Sequence, residues 1–175
     1  LMRIWLASVG RGGNLLLNLP VDRRGLVHSA DSASLVGFKA LRDQAFPKNL
    51  ALKQIAKPTT SRPGFPAKNL LDGDPDTYWS SLAGVSTASI ELELGDDFKE
   101  FDKLVLQEGI AYGQRVRAFN VEVYDSEKDK FVEVARGTTI GPKRIVTFPK
   151  QRAYLLRVNI QSAKDSPVLA EVGVY

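Results

Sequence analysis

The chain has 175 residues, a net charge of +4 and no cysteine, which excludes disulfides and thiolate metal centres. No apolar run approaches the roughly 20 residues of a membrane helix, so no membrane insertion is expected. No basic block interleaves with aromatics, so no nucleic-acid partner is expected either. His28, the single histidine, excludes multi-histidine metal sites and speaks against a Ser/His triad. The first residues lack the basic, apolar and small-residue pattern of an export signal. The signal of an exported protein would therefore lie upstream of Leu1.

Residues 1–46 read as α/β. Leu15-Leu16-Leu17-Asn18-Leu19 is a short continuous apolar run, the mark of a strand buried on both faces of a parallel sheet. Gly10-Arg11-Gly12-Gly13 leads into it, and Pro20 with the polar turn Asp22-Arg23-Arg24-Gly25 comes after it. A helix is expected from about Asp31 to Ala45, capped by Ser29 or Asp31, with Leu35, Phe38, Leu41 and Ala45 as its apolar stripe. One strand and one helix cannot bury each other fully. The rest of such an α/β domain is expected upstream of Leu1, unless residues 1–46 are an appendage on the remainder of the chain.

Residues 47–68 read as a connector carrying Pro47, Pro58, Pro63 and Pro66, with a candidate edge strand from Leu50 to Ile55. From residue 69 to residue 175 the pattern is all-β. Ile90, Leu92 and Leu94 alternate with Glu91 and Glu93; Phe119, Val121 and Val123 with Asn120 and Glu122; Leu156, Val158 and Ile160 with Arg157 and Asn159. Apolar stretches at 103–107, 131–135, 144–148 and 168–175 complete the series. Turn signals at Gly95-Asp96-Asp97, Asp125-Ser126, Gly141-Pro142 and Ser166-Pro167 separate them, as in an antiparallel sandwich.

The segment Asn69-Leu70-Leu71-Asp72-Gly73-Asp74-Pro75-Asp76-Thr77-Tyr78-Trp79 holds carboxylates at alternate positions, a pattern suited to a hard cation such as calcium. It is not an EF-hand, because Thr77 replaces the sixth-position glycine and Ala83 stands where the bidentate glutamate would be. Glu171, in the last strand, is the candidate distant carboxylate. Asp, Gly and Pro also form solvated turns unaided, so both readings stand at this point.

Two stretches resemble known families. Ser8 to Pro20, with Asp22 and Gly25, resembles the last barrel strand of the α-L-fucosidases of glycoside hydrolase family 29, and the helix after it fits their last barrel helix. Asn69 to Ser80 resembles the acidic loop of discoidin-like, galactose-binding-type sandwiches. Leu106-Gln107-Glu108, Gly113 to Val116 with Phe119, Gly137 to Gly141, Lys143 to Ile145 and Ala170 to Tyr175 are similar to the sandwich appended to family 29 enzymes. The resemblance implies a mainly β chain: residues 1–46 as the last strand and helix of a (β/α)8-type barrel, residues 47–68 as connector, and residues 69–175 as an antiparallel galactose-binding-like sandwich.

For function, it implies the C-terminal region of a secreted or periplasmic, exo-acting, retaining α-L-fucosidase that hydrolyses terminal fucose from glycans. Such enzymes use two carboxylates at barrel strand ends. Both are expected upstream, so no catalytic residue is assigned and the fragment alone is expected to be inactive. The resemblance also implies a structural calcium held by Asp72, Asp74, Thr77, Glu171 and a carbonyl near Asn69. Asp22, Arg23 and Arg24 are candidates for the substrate rim, or ordinary turn residues. Gln114, Arg115, Lys143 and Arg144 are solvated charges, or a surface that docks on the barrel of the same parent protein. The alternative is a module that binds galactose- or fucose-containing glycans, with Tyr112 and Tyr124 as its exposed aromatics and Glu108, Gln114 and Arg115 near them in sequence.

Overall fold

The structure, a computed structural model, describes residues 1–175. Helix α1 (Met2–Ser8) leads through a 3-10 turn (Val9–Arg11) to Gly12 and then to an irregular stretch. The sequence pattern gives no sign of a helix here. Ser8 Oγ donates back to Ile4 O at 2.8 Å, and the Gly13 amide closes the end on Ser8 O at 2.9 Å.

The strand expected over Leu15–Leu19 does not form. Residues 13–20 have no regular structure and Leu16 is 93 % exposed. A parallel strand needs a lateral neighbour for its backbone groups, and no strand of this chain lies beside it. Helix α2 (Ser29–Ala45) does form, but it is capped by His28, whose Nδ1 accepts the Ala30 amide at 3.2 Å, rather than by Ser29 or Asp31. Of its apolar stripe, Leu35, Phe38 and Ala45 are half-buried and Leu41 is exposed; no residue of α2 is fully buried.

The remainder is a two-layer antiparallel sandwich, as expected. Its strands are β1 (Ile55–Pro58), β2 (Trp79–Ser80), β3 (Ala88–Glu93), β4 (Lys99–Glu108), β5 (Val116–Asp125), β6 (Lys130–Gly137), β7 (Arg144–Ala153), β8 (Leu155–Ala163) and β9 (Val168–Val174). One sheet has the order β1-β3-β8-β5-β6 and the other β2-β9-β4-β7. Strict alternation sets the layers. In β3, Ala88, Ile90 and Leu92 face the core while Ser89, Glu91 and Glu93 face outward. Ile90, Leu92, Phe119, Val121, Leu156 and Val158 meet Leu104, Leu106, Val172, Val174, Phe101 and Trp79 in one continuous core.

The sandwich begins before Asn69, and the expected connector is part of it. Asn49 Oδ1 accepts the Val174 amide at 3.0 Å, Ala51 is fully buried, and Lys53 N reaches Leu71 O at 2.7 Å. The edge strand lies at Ile55–Pro58, paired with β3, rather than at Leu50–Ile55. Pro58 is tolerated there because an edge strand has one side without ladder partners. These residues and the acidic loop cover the outside of β9, which explains why every residue of β9 is buried.

Helix α1, the turn after it and Phe46 lie against the four-stranded sheet. Trp5 packs edge-on against Phe46 with centroids 5.5 Å apart, and Phe46 packs on Tyr175 at 5.2 Å. Gly10 abuts Ile145, and Gly12, at φ +77, approaches Pro142 so closely that a Cβ would sit 2.5 Å from the ring.

Candidate functional site

Leu70 and Leu71 are buried and pin the start of the acidic loop, while Trp79 pins its end. Trp79 Nε1 donates to Thr60 O at 3.1 Å and to Ser61 Oγ at 3.0 Å. Between these anchors the chain folds on its own side chains. Asp72 Oδ1 accepts the Asp74 amide at 2.9 Å, and Asp72 Oδ2 accepts the Thr77 hydroxyl at 2.8 Å. Asp74 Oδ1 accepts the Asp76 amide at 3.0 Å, and Gly73 supplies the left-handed φ of +83 that the turn requires. Asn69 Nδ2 donates to Tyr78 O at 2.9 Å.

Glu171 reaches this loop from β9. It is 8 % exposed, and its Oε1 has no hydrogen-bond partner. Burial raises its carboxyl to about 7, and the Asp72 carboxylate beside it adds to the rise. The Gly73 and Asp74 amides approach and offset part of this, without satisfying Oε1. Asp72, Thr77 and Glu171 are thus brought together; Asp74 engages one carboxylate oxygen in its own turn, and the Asn69 side-chain amide, as distinct from its carbonyl, holds Tyr78 O. No group of three or more carboxylate or imidazole side chains converges in the chain. A cation here would therefore rest on two carboxylates, a hydroxyl and backbone carbonyls.

Glu108 is not a ligand-facing residue. Its carboxylate is 3 % exposed and accepts three amides: Arg115 at 2.8 Å, Val116 at 2.9 Å and Gly141 at 2.6 Å. Arg115 is likewise turned inward. Its Nε donates to Tyr112 O at 3.1 Å and its Nη1 to Ser166 O at 2.8 Å, with Asp165 at 3.5 Å. The two residues lock the loop over 109–115, whereas a docking or glycan surface requires them free. Gln114 is exposed beside Gly141.

Tyr112 does stand out from this pole, 44 % exposed. Phe65 and Tyr78 brace it edge-on at 5.9 Å and 5.4 Å, and Arg62 lies over Phe65 at 5.6 Å. Sequence spacing hides this cluster, because its members come from three separate loops.

Lys143 and Arg144 are half-buried near Gly12 and Arg11. Burial, and the nearby Arg11 charge, lower the Arg144 guanidinium below its usual range. Asp22 closes a turn: its carboxylate accepts the Arg24 amide at 2.8 Å and pairs with the Arg24 guanidinium at 2.6 Å. Arg24 holds that carboxyl below the usual range. Arg23 and Arg24 are exposed.

The F5/8 type C domain family matches residues 54–172. Alpha-L-fucosidase 1 of Arabidopsis thaliana is 29 % identical over 180 residues, which take in all of this chain and 35 % of that protein. A rice relative (Oryza sativa subsp. japonica), provisionally named alpha-L-fucosidase 1, is 33 % identical over all of this chain and 34 % of its own length. The chain thus spans about a third of the length of these relatives. Among solved structures, a GH29 fucosidase of Ruminococcus gnavus in complex with fucose superposes with TM-score 0.89 at 27 % identity, covering 99 % of this chain and 35 % of that one. A chitosan-binding module of a Paenibacillus chitosanase/glucanase superposes with TM-score 0.65 at 26 % identity, covering 73 % of this chain and 98 % of its own. With two antiparallel layers in place and the match running from β1 into β9, the chain belongs to the F5/8 type C domain family.

Proposed function

We propose that the chain is the C-terminal region of an exo-acting, retaining α-L-fucosidase that removes terminal fucose from glycans, with the sandwich supporting a catalytic barrel. One observation carries the reading. The likeness to the chitosan-binding module covers 73 % of the chain. The likeness to fucosidases covers 99 % and so takes in residues 1–46, outside the F5/8 match.

The physical state of residues 1–46 supports it. Leu16, Leu17, Leu19, Val36 and Leu41 are exposed there, an apolar surface of the kind that marks an interface. A barrel over this surface would give Leu15–Leu19 the lateral strands it lacks. The packing of Gly10 and Gly12 against Ile145 and Pro142 supports docking through residues 142–145. The Asp22 turn is then a candidate for the substrate rim. The nucleophile and acid/base belong to the barrel, so no residue of this chain takes a catalytic role. Glycan substrates of this class argue for a secreted or periplasmic protein, and no helix is long and apolar enough to cross a membrane.

The acidic loop fits a structural calcium. Supporting this are the partnerless, buried Glu171 oxygen and the Asp72 carboxylate facing it. The ion would tie the loop to β9 and take no part in hydrolysis.

The test is release of fucose from an aryl α-L-fucoside, and then from a fucosylated trisaccharide, by the full-length protein that contains this chain. Turnover by the full-length protein and none by the chain alone is the expected result. No turnover of either substrate by an intact barrel would overturn the reading. A second reading, a glycan-binding module, is favoured by the braced, exposed ring of Tyr112. Titration with galactose and fucose, followed by Tyr112→Ala, separates the two.

A further inference from the structure

The junction between residues 1–13 and strand β7 gathers positive charge that the chain itself does not answer. A Cβ on Gly10 would meet the Ile145 side chain at 3.2 Å, and one on Gly12 would meet the Lys143 amide nitrogen at 3.2 Å. The two segments therefore run in close contact. Arg11 stands between those glycines, and Lys143 and Arg144 stand between the residues they touch, Pro142 and Ile145. Three cations distant in the chain thus share one small region.

Of the four half-buried arginines, Arg42, Arg115 and Arg157 each have a carboxylate partner. Arg144 has none, and neither Arg11 nor Lys143 forms an ion pair. Burial and the Arg11 charge both weigh against the Arg144 guanidinium, and no carboxylate of the chain offsets them. Like charges held together in this way oppose folding unless an anion joins them.

The space beside Arg11 narrows the choice of anion. Helix α1 and β7 border a cleft of about 440 Å³, lined by Leu6, Ala7, Arg11, Ile145 and Thr147. Its walls are mostly apolar and Arg11 is the one charge in it. A carboxylate on an aliphatic stem fits both features, the stem against Leu6 and Ile145 and the head on the guanidinium. A small inorganic anion would meet the charge but leave the apolar walls in water. On the reading of residues 1–46 as a barrel remnant, the rest of the barrel borders this face.

We propose that the junction takes a glutamate or aspartate carboxylate from the catalytic barrel of the parent protein, held by Arg11 and Arg144 with Lys143 beside them. The partner's identity rests on the fucosidase reading, whereas the unanswered charge is a property of this chain.

Arg11→Gln, Arg144→Gln and Arg144→Lys are compared in the chain and in the full-length protein that contains it. In the chain alone, Arg11→Gln and Arg144→Gln relieve repulsion, so the unfolding temperature should hold or rise. In the full-length protein each should lower it by about 2–4 °C, and Arg144→Lys, which keeps the charge, should lose less. An equal fall in both proteins would make Arg144 a packing residue and overturn the contact. So would an unchanged full-length protein. Sulfate should stabilise the chain and not the full-length protein; equal stabilisation of both would mean that a small anion, and no carboxylate, fills the site. Hydrolysis of the aryl α-L-fucoside is read on the same samples. Turnover with no stability change in the variants refutes the contact and leaves the enzyme reading intact, whereas an intact barrel without turnover refutes the enzyme reading and leaves the contact to the melts.

Discussion

Glu108 and Gly141 lie 33 residues apart in the chain, yet the buried Glu108 carboxylate accepts the Gly141 amide at 2.6 Å. The exchange is reciprocal, since the Glu108 amide donates to Gly141 O at 2.9 Å. Removing the carboxylate would leave three amides without acceptors. Glu108→Ala is expected to cost about 3–5 kcal/mol of folding free energy, and Glu108→Gln less, since one acceptor survives. Denaturant titration of both variants checks the order.

Arg115 acts inside the sandwich, through Tyr112 O and Ser166 O. Arg115→Ala should therefore lower stability by about 1–3 kcal/mol through the two carbonyls it leaves. The drop should be the same whether or not residues 1–46 are held against the sheet. A drop that vanishes when Trp5→Ala has already loosened that segment would instead place Arg115 in the docking contact.

The Glu171 carboxyl titrates near 7 in the folded chain, against an ordinary value of 4.5. Between these values the folded state holds a proton that the unfolded state has released, so stability falls as pH rises from about 4.5 to 7. Calcium should reverse this loss by pairing with the ionised form. Thermal melts in chelator are expected to decline across this window, and melts in calcium to stay level. Glu171→Gln should flatten the chelator curve and abolish the calcium effect. A calcium response that survives Glu171→Gln would place the ion elsewhere.

Gly12 adopts φ +77, and a Cβ there would lie 2.5 Å from the Pro142 ring. Gly12→Ala is expected to cost about 1–3 kcal/mol, from left-handed strain together with the clash. The damage should be local: Trp5 fluorescence should shift toward that of a solvated indole, while Trp79, fully buried in the core, stays as it is. Pro142→Ala should recover part of the loss by making room.

The strands are legible in the sequence because their cause is local. Ile90, Leu92 and Leu94 alternate, and alternation alone decides which face of β3 turns inward. Leu15–Leu19 misleads for the opposite reason. Its run is that of a buried strand, but a strand needs a lateral neighbour, and no strand of this chain lies beside it. The His28 cap escapes sequence reasoning because imidazole is a rare N-cap, and helix α1 because its support is the distant pair Phe38 and Phe46. At the candidate site, the spacing of Asp72 and Thr77 and the place of Glu171 in the last strand do identify neighbours. Glu108 and Arg115 read as surface groups, because nothing local says that a charge will be buried against backbone amides from another loop. The Phe65, Tyr78 and Tyr112 cluster is a product of topology alone.

Strand β9 lies between β2 and β4, is buried along its whole length, and holds residues as distant as Asn49 through the Val174 amide. The strand synthesised after all the others is thus the one around which a sheet assembles. Neither β2 nor the β4–β7 pair can join that sheet until β9 has left the ribosome, so both must stay solvated or guarded in the meantime. Closure of the sandwich waits on its last strand, and its folding rate carries the delay of joining segments more than a hundred residues apart, 125 in the case of Asn49 and Val174.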